Sequence, residues 1–184
     1  MTEVDPIEAL IARLLEELGE DTTRAGLVDT PARVARMWRN LVRMEDEPPG
    51  LTWFPKQEDG VDCDQMVVLS RIPFYSLCEH HMVPFFGQAH VGYLPHKKVV
   101  GLSKIARVVR YFAARLQVQE RLTSQVAAFL HKELEPTGVC VLLEAEHLCM
   151  SMRGVQAPGH ITVTHAIRGN IDKTELLDLV RRDQ

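Results

Sequence analysis

FFGQAHVGYLPHKKVVGLSKIARVVRYFAARLQVQERLTSQVAAFLHKEL, residues 85–134, changes its hydrophobic period partway along, and that change decides the fold class. From Phe85 to Leu94, Gln88, His90 and Gly92 alternate with Ala89, Val91 and Tyr93, the period of a half-buried strand. Pro95 to Lys98 reads as a turn, and Val99-Val100-Gly101-Leu102 leads into Ser103. Ser103 is expected to cap a helix carrying Ile105, Val108, Val109, Phe112 and Leu116. A second helix, near Gln119 to Leu134, buries Leu122, Val126, Phe129 and Leu130 and stops before Pro136 and Gly138.

The same reading extends outward. Met66 to Ile72 precedes the block as a strand. Val139 to Leu143 follows as another, expected to continue through His147 and Cys149, and Ile161 to Ile167 is a further one. Asp172 to Arg182 reads as a short C-terminal helix. Strands, two helices, then strands is an α+β pattern of antiparallel pairs packed under helices. Upstream, Ile7, Leu10, Ile11, Leu14, Leu15 and Leu18 recur at helical spacing, and Asp29-Thr30-Pro31 starts a second helix with Thr30 as the expected cap. Glu45 to Asp62, rich in Pro and Gly, reads as a linker. The expected division is therefore a helical segment and linker over residues 1–60 and an α+β domain over 61–184.

Composition sets the outer limits. Hydrophobic residues are 46% of the 184 and charged residues 25%, enough apolar material for a packed core. No apolar run approaches the roughly 18 residues that span a bilayer, and the acidic, amphipathic N-terminus is unlike a signal peptide. The expectation is a cytoplasmic protein with no membrane partner. A net charge of −4 argues against a broad basic face for nucleic acid, yet allows a local cation cluster for a compact anion.

The densest chemistry is Ser76-Leu77-Cys78-Glu79-His80-His81, with a second group at Glu146-His147-Leu148-Cys149. Cys78 and His81 are three apart, so one turn brings both inward; on a strand, His147 and Cys149 would share a face. Thiolate with imidazole favours zinc over magnesium or calcium. Four protein ligands would make a closed structural site, three an open catalytic one. Spacing alone does not choose between these, nor between His80 and His81. The bland alternative is a buried core cysteine beside a satisfied strand histidine, and the adjacent C-E-H-H argues against it.

Gly101-Leu102-Ser103-Lys104 opens a helix with Arg107 one turn on, a place where N–H groups, a hydroxyl and two cations can meet phosphate. Arg153 follows Cys149 by four, on what would be the same strand face. Arg33 reads as a surface charge, and Gln117-Val118-Gln119-Glu120-Arg121, between two helices, as surface polarity with Glu120 in a first helical turn, the alternative being a carboxylate and an amide held to hydrogen-bond a purine edge.

Taken together and in order, FYSLCEHHMVPFFGQAHVGYLP, GLSKIARVVRYFAARLQVQERLTSQVA and EAEHLCMSMRGVQ resemble GTP cyclohydrolase I, over a span from about Ile7 to the C-terminus. The resemblance implies a tunnelling fold, with antiparallel sheet and paired helices on one face. It implies a homodecamer with sites between subunits, and conversion of GTP and water to 7,8-dihydroneopterin triphosphate and formate at the entry to pterin and folate synthesis. It also implies Cys78, His81 and Cys149 as zinc ligands, with His80 and His147 free for proton transfer and Ser103 near the ribose. Glu120 would read guanine with Gln119 beside it. The backbone at Val100 and Leu102 would line the base, and Lys104, Arg107, Arg153 and Arg33 would hold the triphosphate. Three-ligand zinc would lower the pKa of water for attack on C8, and a guanine-reading carboxylate should reject ATP.

Departures from the family pattern fall late. Ala157-Pro158-Gly159-His160 stands where Lys and then Ser are usual, and His165 replaces a small residue. No regulatory extension is visible, so control by a partner is not expected. The alternative function is a zinc-stabilised, non-catalytic assembly protein on the same fold, with His80 or His147 as a fourth ligand.

Overall fold

The computed structural model describes residues 5–42, 47–56 and 64–181. The chain divides into two compact units, one ending at Arg43 and one beginning at Met44. In the first, α1 (Pro6–Glu17) and α2 (Thr30–Leu41) pack as a pair. Asp5 accepts from the Ile7 N–H at 2.9 Å, capping α1, and from Arg39 of α2 at 2.7 Å. One carboxylate therefore starts one helix and ties it to the next. The cap of α2 is Asp29 rather than Thr30, because Thr30 already lies inside the helix, with Pro31 in its first turn as expected. Leu10, Leu14 and Leu18, half of the apolar stripe of α1, stay exposed.

Of the stretch read as a linker, residues 45–46 and 57–62 lie outside the described residues, as do Cys63 and the end of the C-terminal helix at Arg182. Within it, β1 (Trp53–Pro55) pairs antiparallel with β4 (Lys98–Val100). The main sheet has five strands in the order β5-β2-β3-β6-β7. These are β2 (Val67–Cys78), β3 (Pro84–Leu94), β5 (Leu116–Gln117), β6 (Gly138–His147) and β7 (Thr162–Gly169). Every neighbouring pair is antiparallel except β2 with the two-residue β5. Helices α3 (Leu102–Ala113) and α4 (Gln119–Leu134) cover one face, and α6 (Lys173–Arg181) packs on the other. The expected α+β class stands. Among the described residues, no helix is long and apolar enough to cross a membrane.

The bounds of α3 and β2 differ from expectation for clear reasons. Gly101, not Ser103, caps α3, which begins at Leu102, and α3 ends at Ala113, so Leu116 lies in β5. β2 runs six residues beyond the expected Ile72 because a bulge interrupts its period of two. Val67 and Leu69 pack on the helix-covered core before the bulge; Ile72, Phe74 and Cys78 do so after it. One extra residue flips the face that each side chain takes. Arg71, with φ of 55°, absorbs the kink. The bulge thus decides which face of the sheet Cys78 occupies.

β6 carries the near-continuous apolar run Val139 to Leu143, as a strand buried on both faces must. Val139, Val141, Leu143 and Ala145 face α3 and α4, whereas Cys140 and Leu142 meet Leu176 and Val180 of α6. Gly87 is required where β3 meets β6: a Cβ there would stand 1.8 Å from the Glu144 carbonyl oxygen.

Candidate functional site

β2 ends at Cys78, and the chain reverses at once, with the His81 and Met82 N–H groups donating to the Cys78 carbonyl at 3.3 and 2.8 Å. This turn brings Cys78 Sγ within 3.8 Å of His81 Nδ1. Behind it, Arg121 of α4 pairs with Glu79, and the Glu79 N–H donates to the Gln117 carbonyl at 3.0 Å. Gln117 is itself fully buried and bonded to Phe112, Gln125 and Arg121. The parallel pairing of β5 with the end of β2 therefore clamps the turn. In the sequence Gln117 and Arg121 read as surface polarity and Glu79 takes no role, because a two-residue strand leaves no periodic signal.

Cys149 reaches the same place by a different route from that expected. β6 stops at His147, and Cys149 lies in the helical turn α5 (Leu148–Ser151). His147 and Cys149 consequently do not share a strand face. The reason is pairing: His147 is opposite Phe85, next to the start of β3, and β7 pairs no further along β6 than Ala145. Arg153 likewise lies just past α5, not on a strand face with Cys149, and donates to the Cys149 carbonyl at 3.3 Å.

The ligand atoms of Cys78, His81 and Cys149 all lie within 4.8 Å of one another. A tetrahedral zinc with ordinary bond lengths would hold such atoms roughly 3.5–3.8 Å apart, so about an ångström of closure suffices. The donor set fits zinc in a second respect. Burial, and then the adjacent Cys78 sulfur, push the Cys149 thiol up, so two thiolates are costly here without a cation between them. His80 stays outside the trio on an exposed position, its Nδ1 3.9 Å from Cys78 Sγ. Arg153 Nη1 lies 3.1 Å from His81 Nε2.

His147 is held on two sides. Its ring stacks on Phe85, its cross-strand partner, with centroids 4.6 Å apart and planes at 3°. Its Nε2 is 2.8 Å from Gln119 Oε1. Gln119 opens α4 and is buried, and its amide nitrogen faces the Leu143 and Thr162 carbonyls at 3.0 and 2.9 Å and Thr164 Oγ1 at 3.1 Å. Those acceptors fix the amide orientation, so Oε1 accepts and His147 Nε2 carries the proton. His147 Nδ1 is then the lone-pair nitrogen. Burial chiefly, with His160 nearby, lowers the His147 pKa, and the Glu120 carboxylate acts in the opposite sense.

The loop after α5 is anchored through Glu146, whose carboxylate accepts from Ser151 Oγ and from the Gly159 N–H. Those two bonds hold its pKa below the ordinary value. His160, at the end of this loop, lies with its ring centroid 6.3 Å from that of His147.

Glu120, in the first turn of α4, lines an open depression of about 430 Å³ with Ser124, Thr164, His165, Ala166, Ile167 and Arg168. Gln119, expected beside the base, turns inward to His147 instead of into this depression. Ser103 and Arg107 are exposed on the first turns of α3, with Lys104 half-buried between them. Neither Lys104 nor Arg107 has an ion pair among the described residues. Val100 is buried, its N–H donating to Tyr93 Oη at 3.1 Å, and Leu102 is exposed. Arg33 pairs with Asp29 at 3.1 Å within the N-terminal unit.

A family model described as GTP cyclohydrolase I matches residues 7–180. A protein named GTP cyclohydrolase 1 from Aquifex aeolicus (strain VF5) is 54% identical over 165 residues, covering 90% of this chain and 87% of the relative. One of the same name from Halalkalibacterium halodurans is 48% identical, covering 98% of this chain and all of the relative. One from Mycobacterium marinum is 50% identical, covering 95% and 89%. Among solved structures, an archaeosine synthase QueF-Like in the apo form aligns at 17% identity with a TM-score of 0.48, over 58% of this chain and 96% of that one.

Proposed function

The chain belongs to the GTP cyclohydrolase I family, and we propose on that footing that it converts GTP and water to 7,8-dihydroneopterin triphosphate and formate, the first step of pterin and folate synthesis. The observation that carries the mechanistic reading is the convergence of three metal-type donors, Cys78, His81 and Cys149, with His80 Nδ1 3.9 Å from Cys78 Sγ and His147 two residues before Cys149 in the chain. Three ligands suit an open catalytic zinc site. Zinc bound there supplies Lewis acidity and makes water a nucleophile near neutral pH.

The chain's own residues do the rest. His80, exposed beside the trio, gives the proton that N7 of the purine needs as the imidazole ring opens. His147, with Nε2 committed to Gln119, offers Nδ1 as the acceptor for proton movements in ring opening and in the later sugar rearrangement. Ser103 sits near the ribose. Glu120 accepts from the ring N–H and exocyclic amine of guanine, with the Val100 and Leu102 backbone along the base. Gln119 contributes to that pocket through His147. Lys104, Arg107, Arg153 and Arg33, drawn from more than one subunit, hold the triphosphate. The active form is a homo-oligomer, a decamer with sites between subunits, in which residues 61–184 form the tunnelling-fold catalytic part.

The test is the variant Cys149→Ser. Metal content measured by mass spectrometry and GTP turnover should both be lost, while the circular-dichroism spectrum of the fold is kept. Full turnover in a metal-free Cys149→Ser protein would overturn the reading.

A further inference from the structure

His160 stands where serine is usual in the family pattern, and nothing in the proposed chemistry uses it. Its Nδ1 lies 2.7 Å from the Ala157 carbonyl oxygen. A carbonyl only accepts, so Nδ1 carries the ring proton and Nε2 of the neutral imidazole is an acceptor. That Nε2 is buried and has no hydrogen-bond partner in the protein. A buried acceptor without a donor is a standing cost that native structures relieve with a ligand or water.

The neighbour of this acceptor is His147, 6.3 Å away between ring centroids with the planes tilted by 36°. The two rings are in complementary states of the same kind. Each has one nitrogen proton given to a protein oxygen, Gln119 Oε1 for His147 and the Ala157 carbonyl for His160. Each therefore keeps its other nitrogen as a lone pair. Two imidazoles 6.3 Å apart between centroids, each with one nitrogen committed to a protein oxygen and the other left over, form a receptor for polar hydrogens.

We propose that His160 is a substrate-binding residue whose Nε2 accepts a hydrogen bond from an O–H or N–H of the nucleotide bound beside His147. The assignment rests on the reading of GTP as substrate. The competing roles are a staple for its own loop, through Ala157, and a perch for an ordered water.

His160→Asn separates these roles. An asparagine amide nitrogen reaches about as far as Nδ1 and can still donate to the Ala157 carbonyl, but nothing replaces Nε2. His160→Gln does the reverse, placing an amide oxygen near the reach of Nε2. The probe is 7-deaza-GTP, which keeps the guanine edge, ribose and triphosphate but lacks the hydrolysable ring nitrogen. Calorimetric titration of the zinc-loaded protein gives its affinity, and thermal melting reports the fold.

His160→Asn should melt as the wild type does and bind 7-deaza-GTP about 10-fold more weakly, the loss expected for one buried acceptor. His160→Gln should recover most of that affinity. Wild-type affinity in His160→Asn overturns the proposal in favour of the staple or the water. If His160→Asn melts early, His160→Gln decides: near-wild-type affinity supports the acceptor role, and affinity as weak as that of His160→Phe overturns it. A wild-type protein that neither binds 7-deaza-GTP nor converts GTP removes the functional reading, and this assignment falls with it. A wild type that does both, with His160→Asn equal to it, removes this assignment alone.

Discussion

Gln119 Oε1 accepts from His147 Nε2 at 2.8 Å, while the nitrogen of the same amide is directed at three oxygens of β6 and β7. The amide cannot rotate without setting its oxygen against two carbonyls, so the sheet itself dictates the tautomer of His147. A residue of this kind acts through another, and its removal should appear in turnover more than in binding.

Gln119→Met keeps the volume and removes both halves of the bridge. We expect kcat to fall about 10- to 100-fold, as for other residues that orient a functional histidine, with KM within about twofold and zinc content unchanged. Steady-state kinetics beside metal analysis checks this. A rise in KM at constant kcat would show instead that Gln119 binds the base directly.

Glu120 carries the choice of base. Replacing it with Ala leaves the guanine donors without acceptors, and kcat/KM for GTP should fall by about 10²-fold or more. ATP should not become a substrate, because adenine gains no partner from the change. Parallel kcat/KM measurements with both nucleotides test this, and measurable ATP turnover by Glu120→Ala would contradict it.

Metal uptake should depend on pH with a definite sign. Burial and the Cys78 sulfur raise the Cys149 thiol above its ordinary value, so at neutral pH the thiol is protonated without the cation. Zinc must displace that proton, and affinity should rise with pH by about tenfold per unit for each proton released. Chelator competition at several pH values measures the slope, and a flat profile would count against thiolate ligation. His147 behaves oppositely. Its pKa is lowered from 6.5, so its neutral form persists below that pH. The stability gained from keeping it neutral is present above 6.5 and lost as pH falls through the lowered value. Any acid limb of kcat/KM due to His147 should therefore lie below 6.5.

The bulge in β2 gives a prediction about folding. Arg71 holds φ at 55°, a region that disfavours side chains and above all β-branched ones. Arg71→Gly should be neutral or slightly stabilising, whereas Arg71→Val should cost about 1–2 kcal/mol in denaturant unfolding. The loss should also weaken zinc binding, since the bulge sets the face on which Cys78 emerges. Equal stability of the two variants would show that the bulge is not strained.

Much of this arrangement was legible in the residues themselves. The switch of period between Leu94 and Ile105 separates strand from helix, and α4 lies where its apolar spacing places it. Cys78, His80, His81, His147 and Cys149 were candidates from ligand chemistry; the family resemblance singled out Cys78, His81 and Cys149, and those three converge. The argument from a shared strand face failed, because the sheet has no partner for β6 past His147 and the chain turns helical. Long-range hydrogen bonds were not legible at all. Gln119 and His147 are 28 positions apart on different elements, and a polar residue at a helix start reads as surface until the sheet folds over it. Ser103 was mistaken for the cap because Gly101, which has no side chain to donate or accept, leaves no signal of its own.

The most direct test is to incubate zinc-loaded protein with GTP and to score formate and 7,8-dihydroneopterin triphosphate together by mass spectrometry, with ATP as a parallel substrate. The account predicts both products in equal amounts from GTP and neither from ATP. One bound zinc per chain with no product from GTP would contradict it.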